Sequence, residues 1–328
     1  MAIIKEKSKL MKMIKKSKKI FIMAHKNMDL DALGSSVGLY NILQTKKKEC
    51  YLVVNEKNHE AGVEKVLNEL TGCLEIIRGE EVEDYLDSNS TKNLLIILDT
   101  NKKELVQDSE ILHKIKRKVI IDHHNKSKNS IKAELEIIDS KVSSTCEMIA
   151  NLVEALDIEL EPYYATVLLS GIVLDTNNFT LKTSKETYYA AYYLSCFGAS
   201  AQKVQYLLKQ DIAEYIEREK LLTNVEIINK NIVIAKASPY TIYRRDDLAK
   251  IADTLLYFNN IEASFVVAKL DKDEIGISAR SLGNYDINEV LSNFNGGGDS
   301  YHGAAVLKEK TISKAVEKLK EVLIKEDE

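Results

Sequence analysis

The sequence predicts an α/β fold: a mostly parallel five- or six-stranded sheet with helices on both faces, joined to a smaller α/β C-terminal domain. Three observations predict it. Short apolar runs recur at 18–24, 49–54, 74–78, 93–99, 118–122 and 134–139, several of them near-continuous Ile, Leu and Val. Strands buried on both faces read this way. Helical patterns at 33–46 and 61–70 fall between such runs, and β-α alternation implies parallel pairing. Charged and imidazole side chains gather at the ends of the runs, where ligands collect in such sheets.

The later elements follow in order. Residues 143–157, 161–175, 185–197 and 200–209 predict helices, the second strongly apolar and ending in Asp175. Segment 212–224 is charged and reads as a connecting helix. Strands are then expected at 232–236, 263–269 and 274–280 around a helix at 246–258. A helix at 286–293 leads to a glycine run, and a last helix covers 311–325. The domains expected are 1–195, a linker at 196–228, and 229–328. No internal repeat is evident.

The 328 residues are enough for two domains, and 45% apolar content supports a full core. With 13 glycines and 2 prolines the chain is not a low-complexity linker. A net charge of −4, with both signs mixed along the chain, argues against a basic face for duplex nucleic acid. It is compatible with a small anion held by metals. Cys50, Cys73, Cys146 and Cys196 show no C-x-x-C spacing and read as reduced thiols. The start has no apolar signal core, and no apolar run reaches the ~18 residues that span a bilayer. A soluble, cytoplasmic chain is expected.

Four constellations carry chemistry. His25-x-x-x-Asp29-x-Asp31 follows a strand, and its mixed imidazole–carboxylate set suits Mn²⁺, Fe²⁺ or Zn²⁺. The structural alternative is a loop in which Asp31 caps the next helix. Asp99 ends five apolar strand residues, a costly place for a carboxylate unless paired or metal-bound, and it is suited to bridge two cations. In Asp122-His123-His124, His123 would ligate, Asp122 would orient a neighbour, and His124 would face a substrate phosphate or act as an acid. Asp175 would complete a second metal's shell. Ser144 to Glu147 has capping-box spacing, though the hydroxyls of this segment could also face the site.

In the second half Arg280 ends a strand, followed by Ser281, the glycines Gly296, Gly297 and Gly298, then Asp299 and His302. Glycines let backbone N–H groups approach an anion, and arginine can grip phosphate oxygens bidentately. This region reads as a phosphate-binding wall. Arg244-Arg245 reads as a solvated face, His59 and His113 as surface residues, and the tyrosines at 188, 189, 192 and 193 as packing.

Taken together, H-x-x-x-D-x-D, a strand-end Asp, D-H-H, Ser170-Gly171-Ile172 running to Asp175-Thr176, and a late glycine run resemble the DHH phosphoesterase superfamily. The stretches at 170–183, 204–209, 252–256, 263–267 and 277–283 resemble the catalytic part of GdpP-type cyclic-di-AMP phosphodiesterases. The resemblance implies two divalent ions, Mn²⁺ first among them, in a cleft between two domains. It implies that His25, Asp29 and Asp99 hold one ion and that Asp31, Asp99, His123 and Asp175 hold the other. It also implies a homodimer. Two departures stand out. Full-length GdpP-type proteins carry membrane helices and sensory domains that are not seen here, and the family's loop histidine is replaced by Asp299, with His302 three residues on.

The activity expected is two-metal hydrolysis of cyclic-di-AMP to linear pApA, with His124, Asp122 and Arg280 as catalytic side chains. Arg280, Ser281, the three glycines, Asp299 and His302 would hold a cyclic dinucleotide or short oligonucleotide. The alternatives are a nanoRNase or pAp phosphatase acting on linear substrates, and a nucleotide-binding sensor with a site impaired at Asp299. An inorganic pyrophosphatase ranks lower.

Overall fold

The apolar runs pair side by side in one parallel sheet. The computed structural model describes residues 1–55, 59–126, 129–298, 300–309 and 311–325. The first unit, Met1–Lys209, contains α1 (Ala2–Lys16), β1 (Lys19–Met23), α2 (Leu30–Thr45), β2 (Glu49–Val53), α3 (Ala61–Glu69), β3 (Ile76–Ile77), α4 (Val82–Tyr85), β4 (Asn93–Leu98), α5 (Ile111–Lys114), β5 (Lys118–Asp122), β6 (Leu135–Ile138), α6 (Thr145–Ala155), α7 (Pro162–Asp175), α8 (Lys185–Cys196) and α9 (Ala201–Leu207). The second, from Gln210 onward, contains α10 (Ile212–Glu219), β7 (Val225–Ile228), β8 (Ile232–Lys236), α11 (Arg245–Leu255), β9 (Ala263–Lys269), β10 (Ile275–Ser281), α12 (Ile287–Ser292), β11 (Gly297–Gly298), β12 (His302–Leu307) and α13 (Ile312–Lys325).

Among the described residues the first sheet runs β3-β2-β1-β4-β5-β6, and every neighbouring pair is parallel. The chain moves outward from β1 to β3, then returns to the other side of β1 at β4. The carboxyl ends of β1 and β4 therefore flank the switch point where such sheets bind ligands. Alternate strand residues enter two cores. Ile20, Ile22, Leu94, Ile96, Val119 and Ile121 pack under α1, α2, α6 and α7. Phe21, Met23, Leu95, Ile97 and Ile120 meet Val82 of α4 and Ile111 and Leu112 of α5. Burial on both faces is why the runs show no polar alternation.

Among the described residues six elements were not expected, α1, α4, α5, β7, β11 and β12, and two of them matter most here. The first is α1, which buries Ile3, Leu10, Met13 and Ile14 along one stripe. Its helical spacing is present in the sequence but diluted by lysines. The second is β12, whose pairing with β10 and β11 turns the expected glycine loop into a hairpin. A Cβ on Gly298 would lie 2.0 Å from the His302 carbonyl oxygen, and one on Gly296 would lie 2.6 Å from that of Ala304. These glycines thus have a steric reason within the hairpin itself.

In the second unit the sheet order is β11-β12-β10-β9-β8-β7. The β8–β9 pair is parallel and the remaining pairs are antiparallel, so this sheet is mixed. Helices α11, α12 and α13 cover it with Leu248, Ile251, Val290, Leu291, Val316 and Leu319. The segment expected as a linker contributes α9 to the first unit and α10 to the second.

Gly171 sets the approach of α7 to α2. A Cβ there would fall 2.5 Å from Cys146 Sγ and 2.8 Å from the Asp31 Cα. Gly171→Ala is expected to destabilise the chain by about 1–3 kcal/mol through overpacking. Urea unfolding checks this as a lowered midpoint at unchanged slope; an unchanged midpoint would contradict the close packing.

Candidate functional site

Five segments deliver the site. After β1 the chain passes through His25, whose carbonyl accepts from Gln107 Nε2 at 2.8 Å. The Lys26 amide donates to the Leu105 carbonyl, so this loop is tied to the segment after β4. Asp29 then caps α2: its Oδ1 accepts from the amides of Asp31 and Ala32, both at 2.9 Å. The structural alternative had placed the cap at Asp31, two residues too late. Leu30 already begins the helix, which turns Asp31 inward instead.

Asp31 is fully buried and crosses to another helix. Its Oδ2 accepts from the Thr145 amide at 2.8 Å and its Oδ1 from the Cys146 amide at 2.7 Å. These are N–H groups of the first turn of α6, which have no partner within their own helix. Ser144 caps α6 as the spacing predicts, accepting from the Glu147 amide at 3.0 Å. The Glu147 carboxylate does not close the box on Ser144, but accepts from the amide and hydroxyl of Ser143 and from Thr187.

Asp99 lies between two imidazoles. Its Oδ2 is 3.3 Å from His25 Nε2, and its Oδ1 is 3.4 Å from His123 Nε2. Its backbone is left-handed, with φ of 59°, a conformation that Asp tolerates better than most residues. Strain of this kind is common at functional sites. Asp175, at the last turn of α7, brings Oδ2 within 3.1 Å of His123 Nε2. The result is three groups in which the ligand atoms lie within 4.8 Å of one another: His25, Asp29 and Asp99; Asp31, His123 and Asp175; and Asp99, His123 and His124.

The residues fit divalent cations. His123 is buried, yet neither ring nitrogen makes a hydrogen bond of acceptable geometry. Such a group is costly unless something else satisfies it. Among the described residues no lysine or arginine pairs with Asp29, Asp31, Asp99 or Asp175. Their mixture with imidazole suits Mn²⁺, Fe²⁺ or Zn²⁺ rather than Ca²⁺.

The carboxylates and imidazoles also shift one another's protonation. Burial alone would lower the His25 pKa, but the Asp29 and Asp99 carboxylates raise it to about 11. Burial is likewise overcome at His123 by Asp175 and Asp99, giving about 9. Burial, with the charges of Asp99 and Asp175, lifts Asp31 well above the usual carboxylate range. Burial also lifts Asp175. For Asp29 burial is outweighed by His25 and the two capping amides, which lower its pKa.

Asp122 sits behind this cluster. Fully buried, it accepts from His124 Nδ1 at 2.8 Å, from the His124 amide at 3.1 Å and from Asn101 Nδ2 at 2.6 Å. It orients His124 and has no exposure of its own. The His124 side chain is 54% exposed, and with Nδ1 held by Asp122 its Nε2 is the outward edge. Burial opposes its charge, but Asp122 raises the His124 pKa to about 9. Asn101, Gln107 and Thr145 support the site through contacts distant in sequence, which motif spacing does not reveal.

In the second unit Arg280 and His302 stand opposite each other across the β10–β12 ladder, hence on one face. Arg280 is not free to grip an anion side-on, because its Nε donates to Asp253 Oδ1 at 2.6 Å. Its Nη1 donates to the Ala279 carbonyl at 2.9 Å and to Ser278 Oγ at 3.4 Å, which leaves Nη2 as the outward terminal nitrogen. The Ser281 hydroxyl is buried and accepts from the amides of Gly283 and Tyr285, a role in the turn rather than towards a ligand. Gly297 and Gly298 are exposed at the hairpin. Asp299 lies outside the described residues.

A parallel sheet with a carboxylate–imidazole cluster at its switch point, followed by a mixed-sheet domain, defines an α/β protein with a candidate metal centre. The chain belongs to the DHH family: residues 19–172 match the DHH family, N-terminal domain, and residues 229–325 match the DHHA1 domain. It is 35% identical over 318 residues to the cyclic-di-AMP phosphodiesterase GdpP of Geobacillus thermodenitrificans, covering 96% of this chain and 48% of that protein. It thus spans about half the length of that relative. It is 25% identical to the bifunctional oligoribonuclease and PAP phosphatase NrnA of Thermus thermophilus, covering 94% of this chain and 90% of that protein. Among solved structures, an exopolyphosphatase-related protein from Bacteroides fragilis has a TM-score of 0.79 at 22% identity, over 99% of this chain and 96% of that one. That likeness shows the fold. Among the described residues no helix is long and apolar enough to cross a membrane.

The raised histidine values fix a pH dependence. Groups whose pKa rises on folding stabilise fully below their unfolded value and lose that contribution as pH passes the folded value. In chelator, wild type should therefore exceed His123→Gln in Tm most at about pH 6.5, and the gap should close by about pH 9.5. Thermal melts at the two pH values check this; a gap that widens with pH would contradict it.

Proposed function

We propose that the chain is a metal-dependent phosphodiesterase that opens cyclic-di-AMP to linear pApA. The single observation that carries the chemistry is Asp99, whose two oxygens face two separate imidazoles. His25, Asp29 and Asp99 would hold one divalent ion, and Asp31, Asp99, His123 and Asp175 the other. Mn²⁺ is the first candidate, because the set mixes nitrogen with hard oxygen ligands. When bound, the ions would neutralise phosphoryl oxygens and acidify an attacking water.

The remaining steps belong to the chain's own side chains. Asp122 holds the proton on His124 Nδ1, which fixes the ring and leaves Nε2 to give a proton to the leaving 3′ oxygen. The raised His124 pKa keeps that proton available at neutral pH. In the second unit Arg280, with His302 beside it, would hold a substrate phosphate through Nη2. Gly296, Gly297 and Gly298 would let the backbone approach the same group. The preference for a cyclic dinucleotide is supported by the 35% identity to a cyclic-di-AMP phosphodiesterase. A second reading, hydrolysis of short linear oligonucleotides or PAP, is favoured by the end-to-end match to NrnA, which spans 90% of that protein.

Three outcomes test this. Asp99→Asn should abolish both Mn²⁺ binding and turnover; retention of metal-dependent activity would overturn the mechanism. His124→Gln should lower kcat by about 10²–10⁴-fold with little change in KM. In a side-by-side assay of cyclic-di-AMP, pApA and pAp with Mn²⁺, the cyclic substrate should have the highest kcat/KM. A linear substrate preferred by about tenfold, or 1.4 kcal/mol, would replace it with the second reading.

A further inference from the structure

We propose that Thr145 is a positioning residue that sets the shared carboxylate Asp99 relative to Asp31. The inference rests on the reading above, that these carboxylates hold divalent ions. Thr145 is fully buried, so it is not exposed to substrate. It makes two contacts that join separate arms of the site. Its hydroxyl donates to Asp99 Oδ1 at 2.9 Å, and its amide donates to Asp31 Oδ2 at 2.8 Å. The neighbouring Cys146 amide holds the other Asp31 oxygen.

One helix terminus therefore holds two carboxylates that would otherwise repel each other. The amides belong to the first turn of α6, whose positive end favours negative charge. The hydroxyl acts on the same Asp99 oxygen that lies 3.4 Å from His123 Nε2, and so selects the rotamer that leaves Oδ2 towards His25. The terminus is itself fixed. Ser144 caps it, and Glu147 ties it to Ser143 and to Thr187 at the start of α8. Groups that orient metal ligands in this way typically change affinity by about 10–100-fold when removed.

The test compares wild type with Thr145→Val, Thr145→Ala and Thr145→Ser, each checked for folding by circular dichroism and by Tm in chelator. Mn²⁺ binding is read by calorimetry. Valine keeps the shape and the amide but loses the hydroxyl, so its Mn²⁺ affinity should fall by about 10–100-fold. Serine keeps the donor and should stay within a few-fold of wild type. Should valine fail to fold, alanine decides in its place. Wild-type Mn²⁺ affinity in a folded hydroxyl-free variant overturns the inference, as does a loss confined to metal-free Tm, which marks a merely structural threonine. No Mn²⁺ binding by wild type itself would instead overturn the reading on which the inference rests.

Discussion

The site depends on one carboxylate shared between two imidazoles. Asp99 is buried and left-handed, and its two oxygens reach towards His25 and His123 from opposite sides. A buried carboxylate among other carboxylates is unfavourable unless positive charge accompanies it. Protons on the histidines supply that charge when no cation is present, which is why the imidazole values are raised. Cation binding must displace those protons. The arrangement gives up some stability in return for ligands already in place.

The sheet topology explains how distant segments meet. Reversal of strand order beside β1 leaves the ends of β1, β4 and β5 adjacent, so the strands alone deliver His25, Asp99 and the Asp122–His124 run. Asp29 comes in as the cap of α2, and two helices add the remaining carboxylates. Asp31 enters on α2 and Asp175 on α7, and the close approach of these helices depends on Gly171. The rest of the support is polar: Asn101 behind Asp122, Gln107 behind the His25 loop, and the first turn of α6 behind Asp31 and Asp99.

Much of this was legible in the sequence because each feature carried its own local signal. Apolar runs without alternation marked strands covered on both faces, and charged side chains at their ends marked the switch point. The six expected ligands fall into two groups, His25 with Asp29 and Asp99 and Asp31 with His123 and Asp175, and within each group the ligand atoms lie within 4.8 Å of one another. The losses have physical causes too. Lysines diluted the apolar stripe of α1, and Gly303-Ala304-Ala305 has little β-propensity of its own, so β12 emerged only from tertiary pairing. Two aspartates two residues apart left the cap of α2 ambiguous until the helix start was fixed. The Asp253–Arg280 pair spans 27 residues and the Thr145–Asp99 bond 46, separations that no motif spacing encodes.

Anomalous diffraction from a crystal soaked in Mn²⁺ addresses the shared carboxylate most directly. The account predicts two peaks, one beside His25, Asp29 and Asp99 and the other beside Asp31, Asp99, His123 and Asp175. A single peak, or two peaks that do not both contact Asp99, would contradict it.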